Sequence, residues 1–180
     1  MADHGARPAA DEYAPDYESY IARVPAGGVV AVLARQLADT RALLAGVPEA
    51  LADHAYAPGK WTIKEIVGHT TDMERIFAYR ALRFARGDTT ELPGYDAEAY
   101  VPAGRFGERT LASLMEELES VRQSTVLLLA GLPAQAWLQR GVADGQEVSV
   151  RALACIIAGH EQHHRAVLEE RYLVRPTTGT

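Results

Sequence analysis

The chemistry this chain can offer is concentrated in one hexapeptide, Gly159-His160-Glu161-Gln162-His163-His164. Residues at i and i+4 on a helix stand about 40° apart around the axis and about 6 Å apart along it, so His160 and His164 can close on one ion. The flanking residues show which way the pair points. Leu153, Ile156, Ile157, His160, His164, Val167, Leu168 and Tyr172 form one stripe at helical period. Two imidazoles thus stand where the stripe calls for Leu or Ile. A neutral histidine buried there must satisfy both ring nitrogens or lose about 1–3 kcal/mol for each unpaired group. A metal ion on one nitrogen and a hydrogen-bond acceptor on the other meets that requirement.

A third ligand has to come from elsewhere, and the remaining histidines are His4, His54, His69 and His163. His4 lies in an Ala/Gly/Pro-rich tail and His54 in a Pro/Gly-flanked loop, so both read as surface residues. Ile66, His69, Met73, Ile76 and Arg80 recur at helical period, which projects His69 toward the interior that receives the pair. His163 could replace His164 through i,i+3 spacing, although the apolar stripe favours His164. Three neutral imidazoles on a divalent ion leave a coordination position open, as catalytic rather than structural sites do. Imidazole suits Zn, Ni, Cu and Fe alike, and availability favours zinc. Such an ion lowers the pKa of a bound water or thiol.

Four long helical patterns must position these residues. Helix 1 is expected from about Gly28 to Gly46, with Val30, Leu33, Leu37, Thr40, Leu44 and Val47 on one face. Helix 2 starts at Thr62, where Thr62-Ile63-Lys64-Glu65 reads as a capping box, and runs to about Arg86. Helix 3 spans about Thr110 to Ala130 and presents Leu111, Leu114, Met115, Leu118, Val121, Thr125 and Leu128. Helix 4 runs from near Ser149 to near Val174. No run alternates with period two for long enough to make a sheet, so the fold class is all-α, a four-helix bundle. The link between helices 2 and 3, about 23 residues, can span a helix length, so these two helices can be parallel and joined by a long crossover.

A length of 180 residues suits one domain. Residues 1–24 read as a tail with a short helix, 25–175 as the bundle and 176–180 as a second tail. A net charge of -6 argues against nucleic acid or an anionic membrane as partner. The single cysteine, Cys155, excludes an intrachain disulfide framework and fits a reducing cytosol. There is no signal-peptide pattern and no apolar run long enough for a bilayer, so a cytoplasmic protein with a small-molecule substrate is expected.

Three motifs also carry a resemblance. Tyr56-Ala57-Pro58-Gly59-Lys60-Trp61-Thr62-Ile63-Lys64-Glu65-Ile66-Val67-Gly68-His69 resembles the first motif of the DinB/YfiT-like metalloenzyme superfamily. Leu92-Pro93-Gly94-Tyr95-Asp96 resembles its middle loop, and Ser149 to His164 its last helix. The match runs from about residue 25 to 174, with the motifs in order. The resemblance implies up-down-down-up connectivity, a divalent metal on His69, His160 and His164, and frequently a homodimer. Relatives include S-transferases that use bacillithiol or mycothiol and a maleylpyruvate isomerase. A low-molecular-weight thiol is therefore the expected co-substrate, activated by the metal for attack on an electrophile.

Other readings compete. His160-Glu161-Gln162-His163-His164 also satisfies H-E-x-x-H, but no downstream third-ligand motif follows and no sheet edge is expected to hold a peptide. A small-molecule hydrolase with Glu161 as catalytic base is the first alternative, and a stress-related metal- or ligand-binding protein without turnover the second. Arg80 and Arg83 could grip a substrate carboxylate, while Tyr95, Tyr100 and Trp137 could roof the pocket. Glu65, Asp72 and Glu74 could orient His69. Cys155 reads as a small packed hydrophobe and Trp61 as a packing residue before the helix cap.

Overall fold

The computed structural model describes residues 7–173. Its main helices are α2 (Val29–Leu44), α4 (Ile63–Ala85), α6 (Leu111–Ala130) and α7 (Val150–Arg171). Shorter ones are α1 (Glu18–Ile21), α3 (Glu49–Ala52) and α5 (Ala97–Gly104), the last within the crossover. The expected C-terminal tail and His4 lie outside the described residues.

Side-chain contacts fix the direction of each helix. Gln36 Nε2 donates to the Ala158 carbonyl and Thr40 Oγ1 to Glu161, so α2 and α7 run parallel. Arg122 reaches the Leu33 carbonyl while Arg41 pairs with Glu119, so α2 and α6 are antiparallel. Ile63 and Ile66 pack with Leu111 and Leu114, and Glu74 binds Arg122, so α4 and α6 are parallel. Tyr172 hydrogen-bonds the Trp61 carbonyl and His69 meets His160, so α4 and α7 are antiparallel. The order is up-down-down-up. α4 lies between α6 and α7, and α2 packs against the same two helices.

Local sequence explains the boundaries. The Thr62 hydroxyl accepts from the Glu65 N–H at 3.2 Å, and the Glu65 carboxylate accepts from the Thr62 N–H at 2.7 Å, completing the capping box. We expect Thr62→Ala to cost about 1 kcal/mol of stability, read as a shift in the urea midpoint at constant m value. A midpoint unchanged within error would mean that α4 is held by packing alone.

Two apolar clusters fill the bundle. One contains Leu33, Met73, Phe77, Phe84, Leu129 and Ile156, and the other Leu44, Ile63, Ile66, Leu114, Leu118 and Leu168. Between them the inward positions are polar: Gln36 and Thr40 on α2, His69 and Glu74 on α4, Arg122 on α6, and His160, Glu161 and His164 on α7, all buried. The inner faces are rotated accordingly from those expected. Val32 and Gln36 are buried where Leu37 is half-exposed, and Arg122 replaces Val121.

One sheet is present where none was expected. Strands β1 (Arg140–Ala143) and β2 (Gln146–Ser149) pair antiparallel, with Gly141 opposite Val148. Asp144 and Gly145, at φ of 56° and 69°, make the two-residue turn that suits a right-twisted hairpin. The crossover is pinned to this hairpin: the Leu92 N–H donates to Val142 and the Asp144 N–H to Leu92. Residues 7–12, within the segment 1–24 read as a tail with a short helix, are also anchored. Glu12 is 2% exposed and accepts from Ser149 and Arg151 at the start of α7.

Candidate metal centre

His69 comes from the second turn of α4, and His160 and His164 from the middle of α7. The antiparallel crossing of these helices brings the three Nε2 atoms together. His69 Nε2 lies 3.1 Å from His160 Nε2, and His164 Nε2 lies 3.1 Å from the same atom. All three ligand atoms fall within 4.8 Å of one another. Two nitrogens held at about 2.0–2.1 Å by one tetrahedral ion would stand about 3.3 Å apart, close to what is seen.

The protonation chemistry points the same way. Burial pushes the His69 imidazole down to about 4 and that of His160 to about 3, with the neighbouring histidines adding to the effect. Burial followed by His160 and His69 lowers His164 to about 2. The three rings are therefore neutral at pH 7. His160 Nε2 faces two other ring nitrogens, and a neutral ring nitrogen either donates one proton or accepts through one lone pair. Protons cannot satisfy both contacts well, whereas one cation satisfies all three lone pairs. The donor set fits a divalent ion.

Close backbone approaches hold the cluster in place. A Cβ on Gly159 would sit 2.0 Å from the Tyr20 carbonyl oxygen, so glycine lets the N-terminal segment lie on α7. The Tyr20 ring then meets His160 edge-on at 5.3 Å. Gly68 likewise accommodates the Phe106 ring, 2.2 Å from where a Cβ would stand.

A chamber of about 390 Å³ opens onto the three histidines. Tyr95 lines it. So do Trp61, Tyr17, Tyr20, Phe77 and His163. Trp61 is more than packing before a cap, since its ring lies 4.6 Å from that of His69 and 6.2 Å from that of His164.

Several expected roles are not met by the positions found. Arg80 is buried, donates to the Pro93 carbonyl at 3.0 Å and lies 5.2 Å from the centre of the Tyr95 ring, so it holds the crossover and does not line the chamber. Arg83 is engaged by Asp88 and Tyr79 near the end of α4. Trp137 belongs to an apolar cluster, and Tyr100 contacts Tyr95 while 42% exposed. None of the three carboxylates expected to orient His69 binds it. Glu65 caps α4, Asp72 pairs with Arg75, and Glu74 pairs with Arg122. The buried Nδ1 of His69 has no partner among the described residues.

Glu161 also has another task from that of a base. Its Oε1 accepts from Thr40 at 2.6 Å and its Oε2 lies 2.7 Å from Arg122 Nη1. Arg122 in turn donates from Nε and Nη2 to Glu74 at 2.9 and 2.7 Å, and from Nη1 to the Leu33 carbonyl at 3.0 Å. Burial works against the charge of Arg122, but Glu74 and Glu161 outweigh it and raise its pKa further. This network ties all four main helices together. Arg122 went unnoticed in the sequence, although Leu111, Leu114, Leu118, Arg122, Thr125 and Leu129 share one helical stripe.

A bundle of this connectivity brings three histidines from its second and last long helices to one point. The chain belongs to the DinB superfamily, whose family description matches residues 33–168. Among solved structures it is similar to YfiT from Bacillus subtilis, described as "a probable metal-dependent hydrolase with an unusual four-helix bundle topology". The TM-score is 0.65 at 17% sequence identity, covering 89% of this chain and 88% of that one. No curated protein matches the sequence. No helix among the described residues is long and apolar enough to cross a membrane.

Proposed function

We propose that this chain is a divalent-metal enzyme that transfers a low-molecular-weight thiol onto a small electrophile, with zinc or nickel held by His69, His160 and His164. The observation carrying this reading is the convergence of three neutral, buried Nε2 atoms on an open chamber that no cysteine, serine or threonine lines among the described residues. Cys155 does not line that chamber, and burial pushes its thiol up to about 11. A divalent ion at the three nitrogens supplies Lewis acidity that favours the ionised form of a thiol or water beside it. The protein's own contribution is to orient three imidazoles, keep them unprotonated and exclude bulk water with the aromatic roof. In the net reaction the thiol sulfur forms a bond to the electrophilic carbon, the leaving group departs with the bonding pair, and the thiol proton is released to solvent.

Hydrolysis is the second reading, favoured by the likeness to YfiT. It needs a base for the attacking water, and the carboxylate best placed by sequence, Glu161, is bound to Arg122 and Thr40. A thiol, with an ordinary pKa near 8.5, needs less help from a base than water does. That difference puts the transferase reading first. The homodimer implied by the family resemblance forms part of the proposal and is checked by sedimentation of the purified chain.

Elemental analysis of metal-loaded protein is expected to find one divalent ion per chain in the wild type and none in His160→Ala. Zinc at a hundredfold excess over its dissociation constant should stabilise the wild type by about 2.7 kcal/mol and leave the variant unmoved. Loaded protein should then consume 1-chloro-2,4-dinitrobenzene only when a thiol such as cysteine or a cysteinyl sugar is added. Cleavage of p-nitrophenyl acetate without thiol, and no thiol-dependent turnover, would shift the assignment to hydrolysis. Absence of bound metal after loading would overturn both.

A further inference from the structure

The chamber over the histidines has an unusual wall for a site carrying a metal cation. Five aromatic rings bound it: Tyr17 and Tyr20 from the N-terminal segment, Trp61 ahead of α4, Phe77 on α4, and Tyr95 from the crossover. Met73 completes the apolar part and receives the Tyr95 hydroxyl at 3.1 Å. The formal charge is sparse. Among the described residues Glu98, which is exposed, is the one carboxylate that lines it, and neither arginine nor lysine does. The nearby Arg80 turns its guanidinium onto the Phe77 and Tyr95 rings, at 6.0 and 5.2 Å, and spends a donor on Pro93. Burial raises the pKa values of Tyr17, Tyr20 and Tyr95, so these phenols stay neutral.

We propose that the chamber takes a neutral, planar aromatic molecule bearing one metal-seeking group. This deepens the proposed function, resting on its metal while naming the class of substrate that reaches it. A volume of about 390 Å³ accommodates one or two fused rings with a short substituent. Rings on the ligand can stack on or meet edge-on the half-buried faces of Tyr17, Tyr20, Trp61 and Tyr95. The metal-seeking group then lies at the three histidines, where the one strong positive charge would be. Among the described residues a second anionic group has no arginine or lysine to meet elsewhere in the chamber and shares it with the exposed Glu98. Phosphorylated molecules and dicarboxylates are thereby disfavoured, because an anion stripped of water without a partner is costly.

Three probes separate these contributions on the zinc-loaded full chain: acetohydroxamate, benzohydroxamate and 4-carboxybenzohydroxamate, titrated by calorimetry. Acetohydroxamate reads the metal alone. Benzohydroxamate is expected to bind roughly tenfold or more tightly than acetohydroxamate, and the added carboxylate to remove most of that gain. In Trp61→Leu the ratio between the first two probes should collapse toward one. Equal binding of the first two in the wild type, or tighter binding of the carboxylated probe, would overturn the proposal. Failure to load zinc would sink the metal reading separately. The aromatic preference would then be read on metal-free protein from benzamide against acetamide, where equal binding again overturns it.

Discussion

Arg122→Leu should destabilise the bundle by about 3–5 kcal/mol, a large part of the 5–15 kcal/mol typical of a domain. Arg122 is 1% exposed, and its removal leaves Glu74 and Glu161, each 2% exposed, without a counter-charge between four helices. The Leu33 carbonyl loses one of its donors in the same step. The cost comes mainly from stranding charges already buried rather than from the intrinsic value of the pairs. The triple variant Arg122→Leu/Glu74→Leu/Glu161→Met should therefore recover much of the loss, because an apolar layer of similar volume can replace a buried ionic one. Urea unfolding of the wild type and both variants measures this. A single variant within 1 kcal/mol of wild type would mean that water reaches the network.

Metal-free protein should lose stability steeply as pH falls from about 6.5 toward 4. The sign follows from proton uptake. In the unfolded chain a histidine protonates near 6.5, while His69, His160 and His164 in the folded chain resist until about 4, 3 and 2. Between those values the unfolded state binds more protons, so stability is fully present above 6.5 and drains away below it. At pH 5 the loss is up to about 2 kcal/mol per histidine. Urea midpoints at pH 7.5 and 5.0, after chelation, should differ strongly, and His164→Gln should flatten the difference by about a third. Equal wild-type midpoints would show that the three rings are hydrated and already titrate normally.

Much of the bundle and the convergence of three histidines could be read from the sequence because both follow from single-helix periodicity. Thr62 and Glu65 announced the start of α4, and His160 and His164 fell on the apolar stripe of α7. What was missed needs partners from several segments. Glu161 follows a ligand by one position, which turns it about 100° around the helix and away from the metal chamber toward Arg122. Nothing local to Glu161 reveals an arginine on α6. The burial of Arg122 was legible as a charged residue on an apolar stripe, although long basic side chains in such places more often reach solvent. Asp144-Gly145 was a fair hairpin signal beside strands too short to show alternation. Tyr17 and Tyr20 reach the chamber through a segment whose backbone at Tyr20 lies against Gly159, a contact between distant parts of the chain that no single-helix pattern shows.

The order in which the chain is made has a consequence for how the centre forms. His69 precedes its nearest ligand neighbour, His160, by 91 residues. At synthesis rates of about 5–20 residues per second, roughly 5 to 20 s pass before the second imidazole exists. During that interval the nascent chain holds one of the three clustered histidines, His69, by itself a weak ligand. α7 then delivers two imidazoles together with Glu161, the carboxylate that joins Arg122. On the proposed metal reading, capture of an ion and closure of the ionic layer therefore belong to one late event. Metal supply should govern how firmly the finished bundle is locked, rather than whether its first three long helices emerge in register.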